Sequence, residues 1–560
     1  MKKVLQRLAK FPLTFLFLMG LAIHLWNIGV DLPNNYYTDE PHHLNKAAAF
    51  GSGNLNPHDF KYPTLWSYML AVMLGGLYAA GSLLGLVASS VDFAQKYLYN
   101  PGFFFFCGRV LSSLFIVLVP LVFYRIGVRF YSKPFAWAAA LLAMLSSGLA
   151  EFSLQAVPYS MLVFFAALSL FPLHAIFEGQ GTRAFAALGF IIGLTISSHY
   201  VAASYGALMV VAFLRGRPFA ESARDFFAGA GMVVVGFFLG TPFLLPELKN
   251  TAGTIGSFLV GLPFLSAHPS DGSVVLSNIN GEKLRFIFGY LRQSMDLWGA
   301  GLFLVVLGYY AELRARRWRP LLFLLPYATV FPVMLVSFFS AHRYAILLTV
   351  PLFLPAARGA LFLTNSCGGV AWKRRAVMTA IGTIFAASYF LNRLHITVPD
   401  TRTMAQHWIE QVVPAGEKVL TAGPYEGPQL MMAKSQVERL HERTRSLRHP
   451  REIYYRTLLS GHPGGGYEIL YVKKTVEEIL DIPSRTEKAF QAQEFIDVIK
   501  EGVAPLLQHG VRTVVILKNW ENVERHKRWI AELRSTYRLA ATFEPEKNKV
   551  KGYHLEIYRK

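Results

Sequence analysis

"FPLTFLFLMGLAIHLWNIGVDLPNNYYTDEPHHLNKAAAF", residues 11–50, runs from an unbroken apolar stretch into a sudden concentration of charge. The apolar half is long enough to cross a bilayer, and the basic flank before it holds that end on the cytoplasmic side. No small-residue cleavage site follows, so residues 11–30 are expected to be an uncleaved first helix with its exit on the outer side. The next helix signal comes at once. Thr38 is a good N-cap, Asp39 and Glu40 sit where the helix dipole favours anions, and Pro41 is tolerated in a first turn. At 3.6 residues per turn Asp39, His42, His43 and Lys46 share one side, and Leu44, Ala47 and Ala48 turn toward another. A carboxylate heading a polar face at the membrane surface could take a proton from an attacking hydroxyl, with nearby cations holding a phosphate leaving group. A solvated, capped interfacial helix has the same pattern, so spacing alone leaves both readings open.

Composition places this stretch in a larger frame. Of 560 residues, 53% are hydrophobic and only 16% charged, with a mean hydropathy of +0.34. Those values imply a polytopic α-helical membrane protein. The net charge of +20 does not signal nucleic acid. Its Arg and Lys fall in short clusters between apolar runs, such as Arg125/Arg129/Lys133, Arg314/Arg316/Arg317/Arg319 and Lys373/Arg374/Arg375, which are topology signals. The two cysteines, Cys107 and Cys367, are expected toward opposite membrane faces and unbonded.

Charge also orders the spans. If "TLWSYMLAVMLGGLYAAGSLLGLV" (64–87) crossed, the next apolar segment would deliver Arg125, Arg129 and Lys133 outside, against the positive-inside rule. Residues 64–87 are therefore expected to lie in the outer interface or re-enter. About eleven crossings follow, near 11–30, 105–124, 134–150, 159–177, 184–198, 201–214, 226–245, 296–312, 320–338, 344–362 and 376–392. The map puts the N-terminus in the cytoplasm of a cell's inner membrane and the C-terminus outside. Residues 1–395 form the membrane domain, with outer loops at 31–104 and 246–295, and 396–560 form a soluble extracytoplasmic α/β domain. In the latter, "KVLTAG", "EILYVKK" and "TVVILKN" are patterned as buried strands, and "MAQHWIEQVV", "AQEFIDVIKEGVAPLLQ" and "NVERHKRWIAELRS" as helices. "HPGGGYE" (462–468) is not placed between a strand and a helix as a dinucleotide fingerprint would be, and no Walker A sequence occurs, so no nucleotide cofactor is expected.

Polar residues from the other loops converge on the face that carries Asp39: Glu151 and Gln155, His199 and Tyr200, and His342 with Arg343. Ionisable groups at membrane depth are costly and tend to be functional, although a satisfied core polar group is the commoner role for His199. In the 246–295 loop, Glu247, His268 and Asp271 are candidate acceptor contacts or simply solvated positions.

Three stretches carry a resemblance: "TDEPHHLNKAAAFGSGNLNPHDFKYPTL", "GRVLSSLFIVLVPLVFYRIGVRFY" and "AHRYAILLTVPLFLPAARGAL". With the order of elements, they resemble polytopic GT-C glycosyltransferases of the protein-mannosyltransferase and lipid A aminoarabinose-transferase type, most specifically over 36–66. The resemblance implies transfer of a sugar from a polyprenyl-phosphate donor to a glycan, lipid or protein acceptor at the outer face, with inversion. The family's first-loop aspartate matches Asp39, with Glu40 beside it. The arginine opening its second crossing matches Arg109, and its late turn matches His342, Arg343 and Tyr344. One departure stands out: where many relatives have an aspartate entering the fourth span, this chain reads "LQAVPYSML", and Glu151 is the candidate substitute.

A phosphate leaving group needs no general acid, so one base and a set of cations suffice. Asp39 is the expected base, with Glu40 as its neighbour, and Arg343, Arg109, Lys46 and Lys61 are the expected phosphate ligands, Arg343 first because a guanidinium grips phosphate with two donors. His42, His43, Tyr62, Glu151, His342 and Tyr344 are expected around the substrate. A divalent cation on Asp39 and His43 is an option, whereas His42 and His43 together on one ion are disfavoured by the roughly 100° between adjacent helical positions. Two rival classes share these features. A lipid-linked-substrate transporter should show repeated halves or paired broken helices, and neither is evident. An oligosaccharide transferase or polymerase shares the donor lipid and the outer site.

Overall fold

The computed structural model describes residues 11–37, 39–213, 219–248, 281–315, 346–368, 370–423, 425–449, 451–473 and 493–560. The chain divides into two compact units. One comprises Met1–Ile28, Asp39–Gly75 and Phe105–Leu394, and the other Gly29–Thr38, Gly76–Phe104 and His395–Lys560.

The helices before the sheet, of which α4 lies in the second unit, include, in chain order, α1 (Pro12–His24), α2 (Asp39–Ala49), α3 (Leu65–Leu83), α4 (Ser90–Tyr99), α5 (Gly102–Phe130), α6 (Lys133–Met144) and α7 (Ser147–Phe152). They continue with α8 (Tyr159–Phe177), α9 (Thr182–Ser198), α10 (Phe219–Gly240), α11 (Gly281–Met295) and α12 (Ala300–Arg314). The last two are α13 (Ile346–Ser366) and α14 (Ala371–Ile396). Six of the described helices are long and apolar enough to cross a membrane, namely α3, α5, α8, α10, α13 and α14; a seventh span would be the pair Ile287–Met295 and Ala300–Arg314, bent by 93°. That bend has a chemical cause. Buried Asp296 accepts the N–H groups of Trp298 (2.9 Å), Ala300 (3.1 Å) and Gly301 (2.6 Å), so it caps α12 and ends α11.

The expected crossings at 11–30, 134–150 and 184–198 contain shorter apolar helices, and 320–338 lies outside the described residues. At 201–214 the described chain is a 3-10 segment, Tyr200–Gly206, followed by Ala207–Phe213. Residues 65–83 pass the same length and composition test as the other spans, so helix length does not separate lying in the interface from crossing it. Both cysteines are free.

Packing in the first unit follows membrane rules, in which small residues let backbones approach. On α9, a Cβ at Gly189 would overlap the carbonyl of Gly229, and one at Gly193 the carbonyl of Val233 on α10. On its other side α10 leaves Phe227, Val234, Val235 and Leu239 exposed, as a lipid-facing surface would require.

The second unit is built on a six-stranded sheet of β1 (Lys418–Thr421), β2 (Glu468–Val472), β3 (Phe495–Ile496), β4 (Thr513–Leu517), β5 (Arg538–Phe543) and β6 (Leu555–Arg559), in the order β3-β2-β1-β4-β6-β5. β3, β2, β1 and β4 are parallel, and β6 and β5 add antiparallel. Helices α15 (Thr401–Val412), α16 (Lys434–Ser446), α17 (Glu452–Ser460) and α18 (Glu524–Thr536) accompany it. Of the three expected helices, two are present. The third, over 492–508, is broken: Phe495 and Ile496 pair with Tyr471 and Val472 as an edge strand, and short helices Val498–Glu501 and Ala504–Gln508 follow. The sheet edge offers Phe495 and Ile496 partners that a helix would have to forgo. The "HPGGGYE" segment enters β2 from α17, a helix-to-strand connection. There Gly466, at φ +85°, lets the chain approach the carbonyls of Met431 and Met432 more closely than any Cβ would allow.

Candidate active site

The buried residues of α2 are Glu40, His43, Leu44 and Ala47, the i, i+3, i+4, i+7 stripe of an inward face. Asp39, His42 and Lys46 remain on the more open side. His43 is a correction to the sequence reading. On a helical wheel it lies only about 40° from Asp39, at the border of the two faces, and packing turns it inward. It is 1% exposed, with its ring 5.1 Å from that of Tyr62.

Glu40 fixes the helix. Its carboxylate is fully buried and accepts Arg109 Nε at 2.9 Å and Nη2 at 2.8 Å, plus the backbone N–H of Ala156 at 2.6 Å. Arg109, also fully buried, donates through Nη1 to the carbonyl of Ile28 at 3.2 Å. The fork therefore ties α2 to α5, to the turn before α8 and to the chain leaving α1. That turn is the stretch where the resemblance implies an aspartate in many relatives. Here its main chain serves as the anchor, and Trp66 Nε1 holds the carbonyl of Ala156 at 3.1 Å.

On the open side a second carboxylate appears that the sequence reading did not single out. Asp59 receives Lys46 Nζ at 3.3 Å on its carboxylate, and its carbonyl accepts the same ammonium at 2.9 Å. It also lies 3.7 Å from His42 Nε2 and accepts the backbone N–H of Lys61 at 3.1 Å. Its signal was local, an acid two residues before Lys61 in "HDFKYP". Burial and then the neighbouring Lys46 cation push His42 down to about 4, so it is neutral near pH 7. Lys61 is exposed, and among the described residues no carboxylate lies within ion-pair distance of its ammonium.

Tyr62 is buried at the centre of an imidazole and phenol row, 5.6 Å from the rings of His42 and His199, with Tyr159 a further 5.6 Å beyond His199. His199 is buried, and its Nδ1 accepts the N–H of Val201 at 3.2 Å. The loop leading to Tyr62 is held from several helices: Tyr200 donates to the carbonyl of Phe60 (3.1 Å), Thr64 to that of Gly240 (2.7 Å), and Asn56 and His58 meet Glu247 at 2.8 and 2.7 Å. Glu247 thus belongs to this loop. Glu151 lies on α7, part-exposed. Around it, buried Arg393 donates to the carbonyls of His24 (2.7 Å), Trp26 (2.9 Å) and Ala150 (2.8 Å) and to Ser153 Oγ (2.7 Å). His268, Asp271, His342, Arg343 and Tyr344 lie outside the described residues. Among the described residues no three His, Cys, Asp or Glu side chains gather as a metal centre needs.

No family model and no curated protein matches the sequence. Solved structures do. ArnT from Cupriavidus metallidurans in the apo state aligns over 98% of this chain and 98% of its own, at 13% identity and a TM-score of 0.54. The same protein bound to undecaprenyl phosphate aligns over 96% and 97%, at 12% identity and 0.52. The oligosaccharyltransferase AglB from Archaeoglobus fulgidus, with an inhibitory peptide and a dolichol-phosphate, aligns over 97% of this chain and 74% of its own, at 13% identity and 0.47. Over nearly the whole length of both chains, this protein thus has the fold of ArnT, with several helices long and apolar enough to cross a membrane.

Proposed function

We propose that this protein is an integral-membrane inverting glycosyltransferase that moves a sugar from a polyprenyl-phosphate donor to an acceptor at the outer face of the cytoplasmic membrane. The observation that carries the reading is the pinned α2: a buried fork on Glu40 presents Asp39 on the more open face, in the fold of ArnT. That ArnT binds undecaprenyl phosphate supports a lipid-phosphate donor.

In this mechanism the acceptor nucleophile attacks the anomeric carbon opposite the phosphate. The bond from that carbon to the phosphate oxygen breaks with its electron pair on the leaving oxygen, and Asp39 takes the acceptor's proton. No acid is required, because a phosphate leaves as an anion. Phosphate binding falls to Lys61 and, as the resemblance implies, Arg343. Glu40 and Arg109 act as scaffold, and Lys46 is engaged by Asp59. His42, Tyr62, Glu151, His342 and Tyr344 remain candidates to line the substrate. Lys61→Ala should raise the donor KM and lower kcat, together costing about 10- to 100-fold in kcat/KM, the usual worth of a charged hydrogen bond. Lys46→Met should change donor KM far less. The reverse ranking in steady-state kinetics would exchange their roles.

The same reading expects residues 396–560 outside, the N-terminus inside and α3 along the outer interface. Cysteine labelling at Asn56 and Ser90 should then find both positions external; a Ser90 reached only from the cytoplasm would mean that α3 crosses. The function itself is tested by offering the purified protein radiolabelled polyprenyl-phosphate monosaccharides. Consumption of one of them with inverted product supports the proposal. Consumption only of a donor bearing a preassembled glycan assigns an oligosaccharide transferase instead.

A further inference from the structure

The second unit carries a charged surface that the proposed chemistry does not use. Between positions 443 and 456 the chain has five arginines and one carboxylate, Glu452. They lie at the end of α16 and the start of α17, two helices fixed to each other. Val437 and Leu440 of one pack with Tyr455 and Leu458 of the other, and His441 Nε2 lies 3.1 Å from Glu452. Arg443 is engaged by Glu494 at 3.7 Å, and Arg456 by Glu452 at 3.8 Å. Arg445, Arg448 and Arg451 are exposed, and among the described residues no carboxylate lies within ion-pair distance of them. Beside them Leu447 is 48% exposed and Ile453 60%. Single exposed aliphatic groups are ordinary. Set among arginines that no carboxylate neutralises, they make the pattern of an interfacial surface, in which cations meet phosphates and aliphatic groups enter the acyl boundary.

Location selects the partner. Residues Gly76–Phe104 belong to the same unit as α16 and α17, and α17 packs directly on α4. Tyr99 donates to the carbonyl of Leu458 at 2.5 Å, Gln95 donates to Ser460 Oγ at 2.9 Å, and Leu98 and Tyr99 pack on the cluster of Val437, Leu440, Tyr455 and Leu458. Phe93 and Tyr97 of α4 in turn meet Phe104, in the first turn of α5, at 5.2 and 5.3 Å. α5 is long and apolar enough to cross a membrane. Its exposed Phe103, with Tyr97 and Tyr99 just before it, is the aromatic concentration expected where a span meets the headgroups. Ile453 is about 7.5 Å of helix from Leu458, and the headgroup layer on each side of a bilayer is itself about 5–8 Å deep. The arginine surface is thus within reach of the layer that α5 enters.

We infer that Arg445, Leu447, Arg448, Arg451 and Ile453 form a docking surface for anionic phospholipid headgroups in the leaflet where α5 begins. The guanidinium groups take headgroup phosphates, whose oxygens match their paired donors, and Leu447 and Ile453 enter the boundary beneath. Nothing in this surface depends on the glycosyl-transfer chemistry.

The test uses the full-length protein in nanodiscs, in a Cys107→Ala/Cys367→Ala background with Ile453→Cys carrying an environment-sensitive fluorophore. Discs of phosphatidylcholine alone are compared with discs that also hold phosphatidylglycerol, each with and without lipids spin-labelled near the headgroup. In the phosphatidylglycerol discs the emission should shift to the blue and be quenched by the spin-labelled lipid. Both effects should fade as salt is raised, because exposed charges are screened, and both should be weak in phosphatidylcholine alone. Arg445→Gln/Arg448→Gln/Arg451→Gln should abolish them: each arginine near an anionic leaflet is worth about fivefold in docked population, or ~1 kcal/mol, and the three together about 100-fold. Should that variant fail to fold, the salt titration of the labelled protein with its arginines intact carries the same expectation. A label that reports water in both compositions overturns the inference. So does a blue shift that is equal in both compositions and survives high salt or the triple substitution, which would mean that protein covers the surface. A shift produced in phosphatidylcholine discs by inorganic phosphate alone, as large as that with phosphatidylglycerol, would assign a soluble phosphate-bearing ligand and overturn it as well.

Discussion

Asp39→Asn is expected to lower turnover by about 10²- to 10⁴-fold, the range typical of a lost general base, while donor binding and the folded state persist. The substitution keeps the side-chain volume and the helix start, and it spares the buried stripe of Glu40, His43, Leu44 and Ala47. Only the proton acceptor is removed. Kinetics with the polyprenyl-phosphate donor, paired with a direct binding measurement on the same preparation, separate the two effects. Near-normal kcat would take Asp39 out of the mechanism, and Asp59, the other carboxylate on the open side, would be the next to test. Loss of binding together with turnover would argue that Asp39 organises the donor site.

Arg109→Ala is expected to have the largest effect on the protein as a folded object. The guanidinium and the Glu40 carboxylate are both fully buried and meet through two bonds of 2.9 and 2.8 Å. Removing one partner strands a charge in an apolar interior, which costs about 3–5 kcal/mol. Against a total stability of about 5–15 kcal/mol, that is enough to abolish a monodisperse preparation. The double variant Glu40→Leu/Arg109→Met should recover much of the loss, since replacing both members of a buried pair by apolar groups of similar size is often close to neutral. Thermal unfolding in detergent, followed by size-exclusion chromatography, reads both. A stable Arg109→Ala whose defect is a raised donor KM would return Arg109 to the phosphate, the role that the resemblance implied for it.

Much of the architecture was legible in local pattern. Long apolar runs marked the membrane helices, an acid pair beside Thr38 and Pro41 marked the start of α2, and β-branched runs marked β1, β2 and β4. These signals survive because periodicity and capping act within a few residues. Where the third dimension offered a better partner, the local pattern lost. Residues 495–496 left their helical surroundings for a sheet edge, and the 296–300 turn bent the chain by 93° because a single buried carboxylate capped the second helix.

The candidate site divides along the same line. Residue types and their order brought Asp39, Glu40, His42, His43, Lys46, Lys61 and Arg109 forward by themselves, because acids, imidazoles and cations beside an apolar run are conspicuous in any membrane chain. Which of them the fold buries and pairs was decided only by tertiary structure. Glu40 and Arg109 were spent on each other across 69 residues, and Lys46 on Asp59 across 13. His43 was turned against Tyr62 at the border of two faces, and the segment before Asp39 was claimed by a domain more than 350 residues away in sequence. A charge of given type is a local property of the sequence, but its partner is whichever opposite group the fold brings within about 3 Å, and burial then makes that choice too costly to undo.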